Sequence, residues 1–194
     1  MTETQRNRKT VHTAGLPLHG ERIWLRRPTK ADAAKVFAWE RDDEVWRYDP
    51  WRPYSYTMEE FLPKFERTHV RGNGRQFWFI IEDEQHVAIG TITYFNINWQ
   101  LGHVEIGLGI GDKTRWGQGY GSEAIRTLVP YLFTFSGITR VYAQTALANY
   151  PARRAFAKAH FTEVGKITDP RNSAEPWVLL EIWKRNMHNE YHKF

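Results

Sequence analysis

The sequence contains no cysteine among its 194 residues. Disulfide bonds, a thiolate nucleophile and cysteine-ligated metal sites are therefore excluded. An apolar run long enough to span a bilayer is also absent, and residues 1–20 are polar, so we expect neither a membrane helix nor a signal peptide. These absences make the cytoplasm the expected location.

Long runs of basic residues are missing as well, although the formal net charge is +5. Lysines and arginines occur singly or in pairs such as Arg26-Arg27 and Arg153-Arg154. No helix-turn-helix, zinc-finger or RNP pattern accompanies them, so a nucleic-acid-binding protein ranks last among the functions considered. An excess of positive charge is equally suited to a highly anionic small molecule.

Three patterns of catalytic or nucleotide-binding sites are not found either. A G-x-S-x-G elbow is absent, which argues against a serine hydrolase. The pattern G-x-x-x-x-G-K-[ST] is absent, which excludes a P-loop. His188 and His192 are four residues apart but do not form H-E-x-x-H, so no metal site is expected.

The most informative segment runs from Glu105 to Ala124 and reads EIGLGIGDKTRWGQGYGSEA. An apolar strand enters a glycine-rich turn, and a helix is predicted to begin at Gly121 or Ser122. Unpaired backbone N–H groups and the helix dipole would converge there and favour a phosphate or pyrophosphate. Glycine admits the phosphate oxygens and tolerates positive φ. Alternatively, the glycines serve only the packing of the connection. The G-x-G-x-G spacing does not match the dinucleotide fingerprint.

This segment resembles the phosphate-binding motif of the GNAT superfamily of acetyl-CoA-dependent N-acetyltransferases, which reads Gln/Arg-x-x-Gly-x-Gly/Ala after a bulged strand. The resemblance is closest to the RimJ/RimL-like branch of ribosomal-protein N-terminal acetyltransferases. Here Trp116 replaces the usual Gln or Arg, and Lys113 and Arg115 are neighbours that could supply positive charge. The resemblance implies that the acetyl-CoA phosphates contact Trp116, Gly117, Gln118, Gly119, Tyr120, Gly121 and Ser122.

A second block supports the same family. Residues 149–161, NYPARRAFAKAHF, resemble the segment N-x-x-(S/A)-x-x-x-Y-E-K-x-G-F. The resemblance implies that Asn149 bonds the pantetheine arm, although an Asn there also suits a helix N-cap. Phe156 stands where a tyrosine often protonates the departing thiolate, and His160 stands where glycine is usual.

The resemblance also implies the catalytic groups. A bulge at Leu108, Gly109 and Ile110 would free backbone N–H groups for the oxyanion. Glu105 would take the proton of the amine through water. The alternative is that Glu105 is merely a solvated strand carboxylate. His103 shares its strand face and is a further candidate for a water relay. Because cysteine is absent, no acyl-cysteine intermediate forms, and direct attack is expected.

The hydrophobic periodicity predicts an α/β (α+β) fold with a mixed, mostly antiparallel central sheet flanked by helices. We expect an N-terminal arm over 1–19, a single domain over 20–184 and a tail over 185–194. Strands are predicted at 22–26, 76–82, 86–95, 103–110, 140–147, 161–167 and 177–184, and helices at 29–40, 57–71, 121–135 and 149–159.

Together these features predict an N-acetyltransferase that uses acetyl-CoA as co-substrate and no metal. The acceptor is a primary amine: a protein N-terminus, a polyamine or an aminoglycoside-like molecule. The aromatic residues between Trp46 and Tyr56 either line its pocket or serve packing. Trp116 and Phe156 keep open a non-catalytic acyl-CoA-binding module. A homodimer is a possible assembly, and no membrane partner is expected.

Overall fold

The computed structural model describes residues 16–48, 57–168 and 176–189. Within these ranges the chain forms eight strands and four α-helices, which confirms the predicted order and adds one short strand at its start. The elements are β1 Leu18–His19, β2 Trp24–Arg26, α1 Ala33–Glu40, α2 Met58–Phe65, β3 Gln76–Glu82, β4 Ala88–Asn98, β5 His103–Ile110, α3 Tyr120–Phe133, β6 Arg140–Ala146, α4 Tyr150–Lys158, β7 Thr162–Ile167 and β8 Trp177–Trp183.

All eight strands join one sheet in the order β1-β2-β3-β4-β5-β6-β8-β7. Neighbouring strands are antiparallel except β5 and β6, which are parallel. A parallel pair needs a crossover connection, and α3 supplies it. The expected mixed, mostly antiparallel sheet is thereby confirmed.

The helices cover both faces of this sheet. Alternation along a strand sends successive side chains to opposite faces. On β5, Val104 and Ile106 enter the main core together with residues of α3 and α4. On β3, Ile80 packs instead in a smaller core with residues of α1 and α2. Glu105 and Gly107 therefore face the side of the sheet on which α1 and α2 lie.

Both N-terminal helices begin at the predicted threonines. Thr29 forms a capping box with Asp32, and the 3-10 turn Lys30–Asp32 leads into α1. Thr57 forms a second capping box with Glu60 at the start of α2. The helix α2 continues as a π-helical turn over Glu66–Val70. Each box satisfies two backbone donors that a helix start leaves free.

An ion-pair cluster fixes α1 to the sheet. The guanidinium of Arg26 on β2 donates to both Asp32 oxygens at 2.8 and 2.7 Å and to Glu82 at 2.6 Å. Burial of Asp32 opposes its ionisation, but hydrogen bonds from Arg26 and Thr29 outweigh burial and hold the pKa of Asp32 below its ordinary 3.8.

Replacing Asp32 by Asn should lower the free energy of unfolding by about 2 kcal/mol at pH 7, because hydrogen bonds to a charged partner contribute roughly that much. The folded pKa is depressed, so this stability is present above the ordinary pKa and is lost as the pH falls through the folded pKa. Urea unfolding between pH 7 and pH 3 measures the difference.

The surface residue Asp112, which accepts hydrogen bonds from Thr114, provides the control. Asp112→Asn should change stability little at any pH. An Asp32→Asn protein as stable as the wild type at pH 7 would contradict the ion-pair account.

Candidate functional site

The parallel strands β5 and β6 pair only at their first three residues. His103, Val104 and Glu105 oppose Arg140, Val141 and Tyr142, although β5 continues to Ile110 and β6 to Ala146. Among the described residues, the later parts of the two strands have no pairing with each other. A gap therefore opens in the middle of the sheet, and the β6-facing backbone groups of β5 border it.

The bulge expected at Leu108, Gly109 and Ile110 is not found there. The register between β4 and β5 is continuous from Gly90↔Ile110 to Phe95↔Glu105. The shift in this pair comes one step later, where Asn96 and Ile97 together oppose Val104. The prediction was wrong in position because separation of β6, rather than an inserted residue in β5, exposes the backbone of residues 106–110.

Glu105 lies at the apex of the gap, in the last pair before the strands separate. Its side chain is only 9% exposed, and Asn96 Nδ2 donates to its Oε2 at 2.8 Å. The Tyr142 hydroxyl, directly opposite on β6, bonds to the same carboxylate. Glu105 is thus a positioned, buried carboxylate rather than a solvated one.

Neither Asn96 nor Tyr142 was identified from the sequence. Asn96 has a positive φ of 49°, a conformation that Asn tolerates better than most residues and that aims its amide at Glu105. Burial, and then the nearby charge of Glu105, raise the pKa of Tyr142 to about 12, so its proton stays in the hydrogen bond. The register of strands distant in sequence creates both contacts.

His103 takes part in a different network on the same face. Arg140 lies 3.3 Å from its Nδ1 and donates to Glu181 at 2.6 Å. Burial and the neighbouring Arg140 lower the pKa of His103 below its ordinary value. An arginine can only donate, so Nδ1 accepts and the ring is neutral. The water-relay role of His103 stays a prediction.

The glycine-rich turn forms a concave surface of backbone donors at the far end of β5. Gly117 and Gly119 adopt positive φ angles of 75° and 92°, and Gly119 is the N-cap of α3. Within the described part of the chain, the N–H groups of residues 118–122 have no protein acceptor. The helix begins at Tyr120, one residue before the earlier of the two expected starts. Phosphate binding at these donors stays a prediction.

Hydrogen bonds from side chains to backbone carbonyls stabilise this turn. Ser122 Oγ donates to Gly119 O at 2.8 Å, and Gln118 Nε2 donates to Thr114 O at 2.6 Å. The indole of Trp116 donates to Ile110 O at 2.7 Å and so fixes the turn to the end of β5. Gly121 allows α3 to approach β5 closely, since a Cβ there would lie 3.3 Å from Leu108. Packing therefore favours a small residue at position 121, independently of any phosphate, because a Cβ would need Leu108 to shift by a few tenths of an ångström.

The positive charge beside the turn comes from a residue that the sequence did not single out. Lys113 pairs with Asp42 and Glu44, and Arg115 pairs with Asp83. Arg22, just before β2, donates to Gln118 O at 3.2 Å. Its Nη2 would lie 3.4 Å from a Cβ on Gly119, although Glu123 already pairs with this guanidinium.

The guanidinium of Arg22 also lies over the ring of Tyr120, 4.7 Å from the ring centroid. Tyr120 is buried, and its hydroxyl donates to Glu84 at 3.1 Å. No local pattern indicates that Arg22 reaches the turn, because the two residues Arg22 and Gly119 are 97 positions apart in the chain. Arg22 thus brings a cation to a turn in which Trp116 supplies none.

The second block, residues 149–161, lies beside the gap, but the side chains of Asn149 and Phe156 contact other residues of the protein. Asn149 accepts from the Ala152 N–H at 3.2 Å as the N-cap of α4, and its Nδ2 donates to Thr145 at 3.0 Å. Phe156 is buried in the main core, with its ring 5.0 Å from that of Phe161. Contacts of Asn149 and Phe156 with pantetheine stay predictions.

The aromatic segment between α1 and α2 is partly described. Trp46 donates from its indole to Trp39 O at 3.0 Å, and Trp39 packs against Gly111 beyond the end of β5. Arg47 lies over the Trp116 ring at 5.7 Å. The segment thus adjoins the glycine turn. Trp51, Tyr54 and Tyr56, which belong to the same expected pocket, lie outside the described residues, as does His192.

None of the helices among the described residues combines the length and the apolar character that a bilayer span needs. Residues 16–48, 57–168 and 176–189 contain no group of three or more His, Asp or Glu side chains placed to hold a metal ion.

Comparison with known proteins gives a consistent picture. The family model described as Acetyltransferase (GNAT) domain matches residues 22–162. The uncharacterised N-acetyltransferase p20 of Bacillus licheniformis is 27% identical over 154 residues, which cover 78% of this chain and 85% of p20. The fold matches the aminoglycoside acetyltransferase AAC(6')-Ib in complex with acetyl-CoA and paromomycin, with a TM-score of 0.73, 18% identity and coverage of 89% and 99%. Mycobacterium smegmatis RimJ in complex with CoA-disulfide matches with a TM-score of 0.73, 20% identity and coverage of 87% and 85%.

Substituting Gly119 by Val should weaken acetyl-CoA binding at least about tenfold, or roughly 1.4 kcal/mol. The added side chain would occupy the concave side of the turn and crowd Arg22. Isothermal titration with acetyl-CoA measures the effect.

Gly74 offers a matched control, because its φ of 73° imposes similar backbone strain and a Cβ there meets nothing within 4 Å. Gly74→Val should leave the affinity unchanged. Equal affinities of folded Gly119→Val and wild-type protein would place the phosphates elsewhere.

Proposed function

The chain belongs to the GNAT acetyltransferase family, and on that premise we propose that this N-acetyltransferase transfers the acetyl group of acetyl-CoA to a primary amine by direct attack in a ternary complex. The observation that carries the proposal is the gap between β5 and β6, with Glu105 at its apex and the donor-rich turn at its other end.

The dimensions of the gap suit the cofactor. Glu105 and Ile110 are five residues apart on β5, which at about 3.3 Å per residue is ~17 Å. An extended pantetheine arm has this scale, so phosphates at the turn would bring the thioester towards the apex. We infer that Leu108, Gly109 and Ile110 border the arm and that Trp116, Gly117, Gln118, Gly119, Tyr120, Gly121 and Ser122 form the phosphate end.

The reaction needs a neutral amine, hydrogen-bond donors for the developing oxyanion and a base for the amine proton. The lone pair of the neutral amine attacks the thioester carbonyl, a C–N bond forms, and negative charge develops on the carbonyl oxygen. The β6-facing N–H groups of residues 106–110 are available as fixed donors to that oxygen. The C–S bond then breaks, coenzyme A leaves as thiolate, and the amine proton passes through water to Glu105.

The hydrogen bonds to Glu105 support its role as base. Donors from Asn96 and Tyr142 fix the direction of the carboxylate. A buried carboxylate at the apex would lie near the developing ammonium group. Phe156 has no proton to give, but coenzyme A thiolate leaves without an acid, so this substitution does not prevent transfer.

The acceptor is proposed as a protein N-terminus, a polyamine or an aminoglycoside-like molecule. A RimJ-like acceptor, an N-terminal amine, is supported by the glycine-turn sequence and by the RimJ structure among those of the same fold. A non-catalytic acyl-CoA-binding module is the second candidate, since Phe156 is buried in the core and Trp116 bonds Ile110. Release of coenzyme A in an amine and peptide screen distinguishes the two.

Acetyl-CoA should raise the melting temperature, because a ligand that binds only the folded state stabilises it by mass action. At a hundredfold excess over its Kd the gain is about 2.7 kcal/mol. Differential scanning fluorimetry with acetyl-CoA and with dephospho-coenzyme A checks this, and no shift at saturation would contradict the cofactor assignment.

Glu105→Gln should lower kcat by roughly 10² or more while acetyl-CoA affinity is nearly unchanged, because the amide cannot accept the proton. The acidic limb of the kcat–pH profile should disappear with the carboxylate. Asn96→Gly, which keeps the positive φ and removes the amide donor, should produce a smaller loss. Coenzyme A release under saturating substrates measures both.

Glu163 on the edge strand β7, which pairs with Arg153, supplies the control. Glu163→Gln should leave kcat and its pH profile unchanged. Wild-type turnover and an unaltered profile in Glu105→Gln would refute the base role and return His103 to consideration.

A further inference from the structure

Two buried polar atoms on the Glu105 face of the sheet have no hydrogen-bond partner among the described residues. They are Nε2 of His69, in the π-helical turn after α2, and Nε1 of Trp78, on β3. His69 is only 7% exposed, and its ring lies between Phe65 at 4.7 Å and Trp78 at 4.2 Å. An unsatisfied buried polar group typically costs about 1–3 kcal/mol, so two side by side call for an explanation.

The hydrogen-bond chain decides which atom of His69 is the acceptor. Thr68 uses its one hydroxyl proton on Lys64 O, at 2.8 Å. The Thr68 oxygen, 2.8 Å from His69 Nδ1, must therefore accept a proton from that nitrogen. Burial, with Lys64 as the lesser cause, lowers the pKa of His69 to about 4, so the ring is neutral at pH 7. His69 Nε2 then carries a free lone pair, while Trp78 Nε1 carries a free proton.

The strand register relates this pair to the gap. Trp78 opposes Thr93 on β4, and Thr93 opposes Gly107 on β5. All three positions face the side of the sheet on which Glu105 lies, because Gly107 is two residues from Glu105. With about 4.8 Å between neighbouring strands, the Cα atoms of Trp78 and Gly107 are ~10 Å apart. Gly107 and Gly109 put no side chain on that face, and a Cβ at Gly109 would meet nothing within 4 Å.

We propose that His69 Nε2 and Trp78 Nε1 form a second polar subsite for the acceptor, two strands across the sheet from Gly107, which takes a neutral group that both accepts and donates a hydrogen bond, a hydroxyl or an amide. The inference rests on the proposed function and narrows its substrate class. Burial of the pair among aromatic rings is what gives such a contact its selectivity.

The chemistry of the two atoms excludes charged occupants. An ammonium group has no lone pair and would leave the Trp78 proton unpaired. A carboxylate has no proton and would leave His69 Nε2 unpaired. Either ion would also lose its hydration among Phe65, His69 and Trp78. A hydroxyl or amide satisfies both atoms without that loss, so amino alcohols and amide-bearing amines fit better than simple polyamines.

The test uses acceptors that differ only at the far end. Omega-amino alcohols of graded length are compared with n-alkylamines of equal length, and N-acetyl-diaminoalkanes form the amide arm. For wild-type protein, kcat/KM should favour the hydroxyl or the amide over the methyl group at least about tenfold at the length that spans the two sites. His69→Phe keeps a flat ring between Phe65 and Trp78 and should bring the ratio near one, with the KM for acetyl-CoA unchanged.

Two variants control for structural effects. Gln can place an amide atom where Nε2 lies, so His69→Gln should recover part of the preference. His19 on the edge strand β1 is an exposed histidine whose ring lies 3.9 Å from that of Trp24, at a tilt of 35°. His19→Phe makes the same chemical change there and should leave the ratio as in the wild type. A wild-type ratio near one at every length, or an unchanged ratio in His69→Phe, would overturn the subsite.

A binding readout separates this inference from the proposed function. With coenzyme A present and no transfer possible, amino alcohols should raise the wild-type melting temperature more than alkylamines do, and His69→Phe should remove the difference. His69→Phe alone should melt near the wild-type temperature, because removal of one unpaired buried atom offsets loss of the Nδ1 bond to Thr68. A lower melting temperature together with no hydroxyl preference would mean that an internal water uses the pair. Failure of every amine to release coenzyme A would instead refute catalysis, while the thermal comparison still decides the subsite.

Discussion

The short parallel pairing of β5 with β6 is the constraint on which the site depends. Each strand is held on its other side by a neighbouring strand: β4 pairs continuously with β5 from Glu105 to Ile110, and β8 pairs with all of β6 from Arg140 to Ala146. The gap between them therefore has two supported walls and can remain open without fraying. Opening the sheet leaves its backbone donors without strand partners, and these are the groups that an oxyanion or an amide-containing cofactor arm would use.

The bulge beside the gap lies in β4 rather than in β5, and it orients a side chain that contacts Glu105. The two residues Asn96 and Ile97 oppose the single residue Val104, and Asn96 takes a left-handed conformation. This brings its amide to Glu105 from one side while Tyr142 reaches the carboxylate from the other. A bulge can re-aim a side chain next to an active site, and here the re-aimed side chain holds the base rather than acting as one.

The sequence predicted those parts of the structure that local patterns determine. The capping threonines, the strand–turn–helix around Gly119 and the order of strands and helices all follow from periodicity and turn chemistry. Contacts set by strand register were missed: Asn96 and Tyr142 on Glu105, and Arg22 beside the glycine turn. Family resemblance placed a bulge in β5 because it transfers a residue pattern, whereas the separation of two strands is a property of their partners. The roles of the individual cofactor-binding residues were also inferred from the family resemblance, and they stay predictions.

The glycine turn and the His69–Trp78 pair differ in their access to water. Gly117 and Gln118 are exposed, so water can satisfy the free donors of the turn until an anion displaces it. His69 Nε2 and Trp78 Nε1 are buried and have no such substitute within the described residues, so their cost persists in the empty protein. Replacing the histidine by an apolar ring, which Phe65 and Trp78 would accommodate, would remove only the cost of His69 Nε2 and would break the bond of Nδ1 to Thr68. The two atoms are in complementary acceptor and donor states, so one hydroxyl or amide on the acceptor face would satisfy both at once, which no apolar substitution of the histidine does.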